Sequence, residues 1–211
     1  MRAKASYSFD APKPASAKGE KTANGIVKKG AELLLHEGLR AVNKRRIASA
    51  LGISDGNISY YFPTRDALWA AVLEYELDNY FRRFHSSFLG TEHSMQARFD
   101  DYVGRWVDEY QDRMVRVFFS QILTFGETEP LIARFRDRVY RVFFEHLAGF
   151  AKALAPKVTA EELQRRVLLI MSLLWWVVSR IKTKARIFCI VMNLVHENTV
   201  CFDVTQGTIR Q

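Results

Sequence analysis

Residues 42–68, VNKRRIASALGISDGNISYYFPTRDAL, constrain the chain more than any other stretch, because their caps, glycine and proline dictate two short helices and a tight turn. Asn43 is a good N-cap, and Ile47, Ala48 and Leu51 then fall on one helix face. Gly52 stands where the chain must leave that helix with positive φ, which only glycine adopts cheaply. Ser54 caps a second helix whose buried residues are Ile58 and Phe62, and Pro63 stops it. Thr64 caps the next helix, with Asp66 near its N-terminus.

Two capped helices joined by a glycine turn make a helix-turn-helix, whose second helix enters the DNA major groove while the first crosses the backbone. The polar residues suit that use. Lys44, Arg45 and Arg46 crowd the first helix, and Ser54, Asp55, Asn57, Ser59, Tyr60 and Tyr61 line the second. An ordinary surface hairpin would share the basic residues, but not both caps, the glycine and the proline at these spacings.

The order Ile47-Ala48, Gly52-Ile53-Ser54, Gly56-Asn57-Ile58, Tyr61-Phe62-Pro63, Arg65 and Ala67-Leu68 resembles the DNA-binding domain of the TetR family of transcriptional regulators. The resemblance runs over about residues 22–72. It implies a three-helix DNA-binding domain, followed by a helical domain that binds an effector and pairs two copies through its last two helices. Two positions depart from the family pattern. Ser59 stands where tyrosine is usual, although some choline-responsive members carry serine, so a phosphate contact is weaker here or passes to Tyr60. Asp55 stands where lysine or a neutral residue is commoner; an acid there favours the helix but repels phosphate, unless it accepts from a cytosine amine.

Charge placement agrees with a DNA partner. Residues 1–65 hold twelve Lys or Arg against five Asp or Glu, so they carry seven of the eight net positive charges. Counterion release requires such a concentration at the reading end. The patch lacks the apolar face and aromatic anchors of a membrane-surface helix. Cys189 and Cys201 are too few for a disulfide framework, and residues 1–21 lack the apolar core of a signal peptide, so a cytoplasmic setting with reduced thiols is expected. The apolar run 167–178 holds twelve residues, too short to span a bilayer.

Helical periodicity dominates the 211 residues, of which 48% are apolar, and predicts an all-α chain. The expected division is a disordered basic arm at 1–21, a helix-turn-helix domain at 22–68, and a helical effector-binding and dimerisation domain at 69–211. Lys13, Lys18 and Lys21 of the arm would reach a neighbouring minor groove, unless the arm is an inert tail. Helices are expected at 22–37, 64–84, 95–111, 114–125 and 130–154, with a loop at 126–129. The arginines of 130–154 alternate with acids, as on a solvated face. Thr159 and Glu162 form a capping box. Beyond it Leu163, Val167, Ile170, Leu174, Val177 and Ile181 make a heptad seam on a helix that is apolar nearly all round and must be covered twice. A further helix is expected at 185–196, then an irregular tail at 199–211.

Catalytic chemistry finds no foothold. The five histidines are scattered, and neither a metal-binding spacing nor a phosphate loop is present, so no catalytic residue, metal or cofactor is expected. Binding remains. Tyr102, Trp106, Phe118, Phe119, Tyr140, Phe144 and Trp175 would line an apolar effector cavity, although each suits a core equally well. If the resemblance to choline-responsive members extends to the ligand, an aromatic cage for a quaternary ammonium follows. The expected protein is a homodimeric regulator, a repressor on a near-palindromic operator, released by a small apolar or cationic effector. Lys44 and Arg65 would grip phosphate, Tyr60, Tyr61 and Thr64 would add backbone bonds, and Arg45 and Asn57 would read bases. The rival is a DNA-organising helix-turn-helix protein with a filled core and no ligand.

Overall fold

The computed structural model describes the backbone of residues 16–89, 94–177, 202–203 and 208–209, and the side chains of 16–82 and 94–172. The fold is all-α. Its helices are α1 (Ala17–Glu37), α2 (Lys44–Leu51), α3 (Asp55–Tyr61), α4 (Arg65–Leu89), α5 (Met95–Glu109), α6 (Arg113–Phe125), α7 (Pro130–Leu154) and α8 (Ala160–Val177). A single 3-10 turn, Leu39–Ala41, links α1 to α2. The helix expected at 185–196 and the side chain of Trp175 lie outside the described residues.

Several boundaries differ from expectation. Helix α1 begins at Ala17, so Lys18 and Lys21, expected in the arm, are helical; residues 1–15 of the expected arm lie outside the described residues. The cause is local: Ser16 accepts the Gly19 N–H at 3.2 Å, and Glu20 sits favourably in the first turn. Helix α4 runs on to Leu89, five residues past the expected end. Within the expected tail, β1 (Phe202–Asp203) pairs antiparallel with β2 (Thr208–Ile209). Aromatic and β-branched residues there favour an extended backbone.

The described residues form two compact units, one of residues 16–83 with Val117–Ala133, the other of residues from Phe84 to Arg116 with those from Arg134 to Val177. In the first unit, Ile26, Ala31 and Leu34 of α1, Ile47 and Ala48 of α2, Ile58 of α3, and Leu68 and Val72 of α4 make the core. Helices α1 and α4 approach closely at Gly30, where an added Cβ would lie 2.5 Å from a Val72 methyl. The buried Trp69 donates its indole N–H to the Val42 carbonyl at 2.8 Å. Leu51, expected on one face with Ile47 and Ala48, is 38% exposed, because helical period fixes a face but not how far its edge is covered.

Residues 117–133 of this unit, most of α6 and its turn into α7, are fastened to the N-terminal helices. Gln121 accepts the Leu39 N–H at 3.0 Å. Phe125 meets Trp69 edge-on at 6.4 Å, and the Arg40 guanidinium lies 5.6 Å from the Phe125 ring centre.

The second unit is built on aromatic packing. Phe99, Tyr102, Val103, Trp106 and Val107 of α5 are buried, as are Phe143, Leu147 and Phe150 of α7. Trp106 stacks on Phe143 at 4.5 Å, and Tyr102 packs on Phe150 at 5.4 Å. Of α8, Val167, Ile170 and Met171 are buried, whereas Leu168 and Leu169 are 51% and 47% exposed. Thr159 caps α8 by accepting the Glu162 N–H at 3.3 Å, while the Glu162 carboxylate binds Arg166 at 2.8 Å. That pairing, with Arg165 beside it, holds the Glu162 carboxyl below the usual carboxylate range.

Candidate nucleic-acid interface

The interface is set by two short helices and their caps. Asn43 accepts the Arg46 N–H at 3.0 Å and starts α2. Gly52 ends it at φ 65° and ψ 32°, with its N–H on the Ala48 carbonyl. A side chain in this left-handed conformation costs about 1–2 kcal/mol, so the turn depends on glycine. Ser54 then accepts the Asn57 N–H at 3.1 Å and starts α3, and Thr64 accepts the Ala67 N–H at 3.0 Å and starts α4. Ile58 and Phe62 anchor α3 from beneath, which leaves Asp55, Asn57 and Tyr60 outward.

The expected DNA residues fall into two groups. Arg45, Ser54, Asn57, Tyr60, Thr64 and Arg65 are exposed, Tyr60 at 71%, with its ring set edge-on to Tyr61. Lys44, Ser59 and Tyr61 are half-buried. The Lys44 ammonium donates to the Ser59 hydroxyl at 3.0 Å and to the Pro63 carbonyl at 2.6 Å, which ties the start of α2 to the end of α3. Serine at 59 therefore has a structural partner: it receives the lysine from a helix fifteen positions earlier. Arg46, noted only as part of the basic crowd, pairs with Glu37 at 2.6 Å.

Arg65 is exposed yet heavily engaged. Its Nη2 and Nη1 reach the Glu129 carboxylate at 2.7 and 3.4 Å, and its Nε reaches Asp66 at 3.3 Å. The guanidinium also lies 4.4 Å from the Trp69 ring centre, a cation–π distance. Partial desolvation lowers its pKa, but the bonds and charges of Glu129 and then Asp66 outweigh this and raise it. Sequence reasoning missed Glu129, since nothing local links residues 65 and 129.

The effector candidates divide. Phe118 and Phe119 belong to the first unit, where Phe119 packs edge-on against Tyr80 at 5.1 Å. Tyr102 and Trp106 are fully buried in the second unit, and burial drives the Tyr102 hydroxyl pKa far above its ordinary value. His146 meets Tyr102 edge-on at 6.1 Å; burial lowers its pKa, and nearby Glu145 opposes that only in part. Tyr140 and Phe144 line an open groove of ≈ 580 Å³ between α7 and α8, with Asp137, Arg141, Gln164, Leu168, Met171 and Ser172. That volume is within the range of small-molecule sites. Among the described residues, no group of three or more His, Cys, Asp or Glu is placed to hold a metal ion. No described helix is long and apolar enough to cross a membrane.

Two capped helices around a left-handed glycine, with a polar outer row and a basic flank, define a helix-turn-helix DNA-binding unit. Residues 26–72 match the family model of the bacterial regulatory proteins of the tetR family. Solved structures with the same fold include a transcriptional regulator from Saccharomonospora viridis in complex with choline, 17% identical, with a TM-score of 0.67 over 85% of this chain and 97% of that one. A regulator from Pseudomonas aeruginosa PAO1 is 17% identical at a TM-score of 0.70, over 83% of this chain and 89% of that one. A TetR-family regulator from Rhodococcus sp. is 19% identical at 0.63, over 83% and 97%. No curated protein matches the chain. The chain thus carries a DNA-binding domain of the tetR family at residues 26–72, on the fold these regulators share.

Proposed function

We propose that the chain is a homodimeric repressor that reads a near-palindromic operator with α3 and leaves it when a small ligand binds the second unit. The observation that carries this is the exposure of Arg45 on α2 and of Asn57 and Tyr60 on α3, in a helix-turn-helix closed by side-chain caps and in the third of the chain that holds most of the net positive charge. Arg45 and Asn57 read base edges, each good bidentate pair discriminating by about 1–3 kcal/mol. Arg65, Tyr60, Tyr61 and Thr64 meet the backbone. Lys44 adds charge there while its ammonium braces α3 through Ser59.

Pairing through the C-terminal helices is supported by Leu168 and Leu169, which remain exposed on α8. A ligand works only by binding one reader spacing better than the other, and α4, continuous from Arg65 to Leu89, is the element through which it acts. The α7–α8 groove offers the aromatic faces of Tyr140 and Phe144 to a small organic cation, the class to which choline in the Saccharomonospora viridis structure belongs, while its charges are mixed: Arg141 lines it too, and Arg136 holds the Asp137 carboxylate at 3.1 Å. The tightly packed Tyr102, Trp106 and Phe143 cluster favours the second possibility, a DNA-organising protein with a filled core and no ligand.

Selection of bound fragments from random duplex DNA tests the first reading. Recovery of two inverted half-sites supports it, and recovery of no preferred sequence overturns it. A thermal-shift series with choline and aromatic cations then separates the ligand-responsive protein, which is stabilised, from the ligand-independent one.

A further inference from the structure

We propose that Glu129 is a built-in competitor of DNA phosphate for Arg65. This rests on the reading above, in which Arg65 grips the DNA backbone. The fork of the guanidinium is matched to one oxyanion pair at a time, and carboxylate and phosphate are alternatives for it. In this structure the Glu129 carboxylate holds the fork at 2.7 and 3.4 Å, and Asp66 takes the remaining Nε at 3.3 Å. Two acids surround one base, so the position that should attract phosphate carries a net negative charge.

The competitor is also held in place. The Glu129 backbone N–H donates to the Phe125 carbonyl at 2.8 Å, and its own carbonyl accepts the Ala133 N–H at 3.0 Å, so it is fixed at the start of α7. The turn that carries it is fastened to the N-terminal helices by Gln121 on Leu39 and by Phe125 against Trp69. Glu129 is the better covered partner, with a quarter of its side chain exposed against 55% of Arg65. DNA must therefore either strip Arg65 from this carboxylate or bind without it. A movement of the α6–α7 turn that draws Glu129 away frees a phosphate ligand at the reading end without touching α3.

The full chain and a labelled duplex of mixed sequence test this by anisotropy over a range of salt, with Glu127→Gln as a control that makes the same charge change in the same turn. Glu129→Gln should tighten binding about two- to fivefold beyond Glu127→Gln, the range expected for one released surface pair. It should also steepen the salt dependence by up to about 0.9, one further phosphate neutralised. In an Arg65→Gln background, the difference between the two glutamine variants should vanish. Far-UV circular dichroism checks that each variant is folded. If the unmodified chain binds duplex but Glu129→Gln binds no more tightly than Glu127→Gln, or the gain persists without Arg65, the competition is overturned while the DNA-binding reading stands. If no variant binds duplex at low salt, both fall.

Discussion

Arg45 and Arg65 are both exposed, yet their surroundings differ, and so should their substitutions. Arg45 has no hydrogen-bond partner among the described residues and stands beside the reading helix. Replacing it with alanine should relax sequence preference at one base-pair position by about 1–3 kcal/mol, measured as the spread of affinities across single-base operator variants. Arg65→Ala should instead weaken all duplexes alike and flatten the salt slope. Uniform loss from both would erase the distinction. His146 gives a residue-scale test of the second unit. Burial lowers its folded pKa below the usual 6.5, so the unfolded chain takes up protons first as pH falls. Stability from this group is thus present above about pH 6.5 and lost on acidification. The melting temperature should fall between neutral pH and about pH 5.5, and His146→Phe should fall less. An equal fall in both would show that His146 is not the titrating group.

At the scale of elements, the caps and breaks were legible because each acts within four residues. Asn43, Gly52, Ser54 and Thr64 announce their roles in sequence, and the structure places a hydrogen bond or a positive φ at each. Long-range partners were not legible. Lys44 finds Ser59 across a turn, and Arg65 finds Glu129 sixty-four positions away, because tertiary packing chooses those pairs. The early start of α1 was hidden by the alanine- and lysine-rich composition of the residues before it, which suits a tail as well as a helix. Two glycines test the elements directly. Gly52→Ala should destabilise the chain by about 1–2 kcal/mol through the left-handed turn, read as a lower denaturation midpoint. Gly30→Ala should do comparable harm for a different reason, since its methyl would meet Val72, and shortening that valine to alanine should restore much of the loss. Failure of that rescue would mean that the two helices are not in contact there.

For the whole molecule, the expectation is geometric. If two copies present α3 to one face of a duplex, the selected half-sites should lie about one helical turn (roughly 34 Å) apart or a multiple of it. Replacing the exposed Leu168 and Leu169 with lysine should shift sedimentation toward the monomer with helicity unchanged, and should lower operator affinity with it. A chain that stays dimeric after this change pairs through other residues. The resemblance led to an expected division at residue 68, whereas the compact units divide near residue 83. It did not reveal that residues 117–133 pack with the N-terminal helices, a fact carried by Gln121 and Phe125, whose apolar or neutral side chains give no long-range signal.

The indole beneath Arg65 has an optical consequence. Trp69 is held by its own N–H on Val42, so a cation leaving its ring changes the local field around a chromophore that does not itself move. With Trp106, Trp175 and Trp176 replaced by phenylalanine, emission from the remaining tryptophan would report in real time whether that arginine rests on the protein or on DNA.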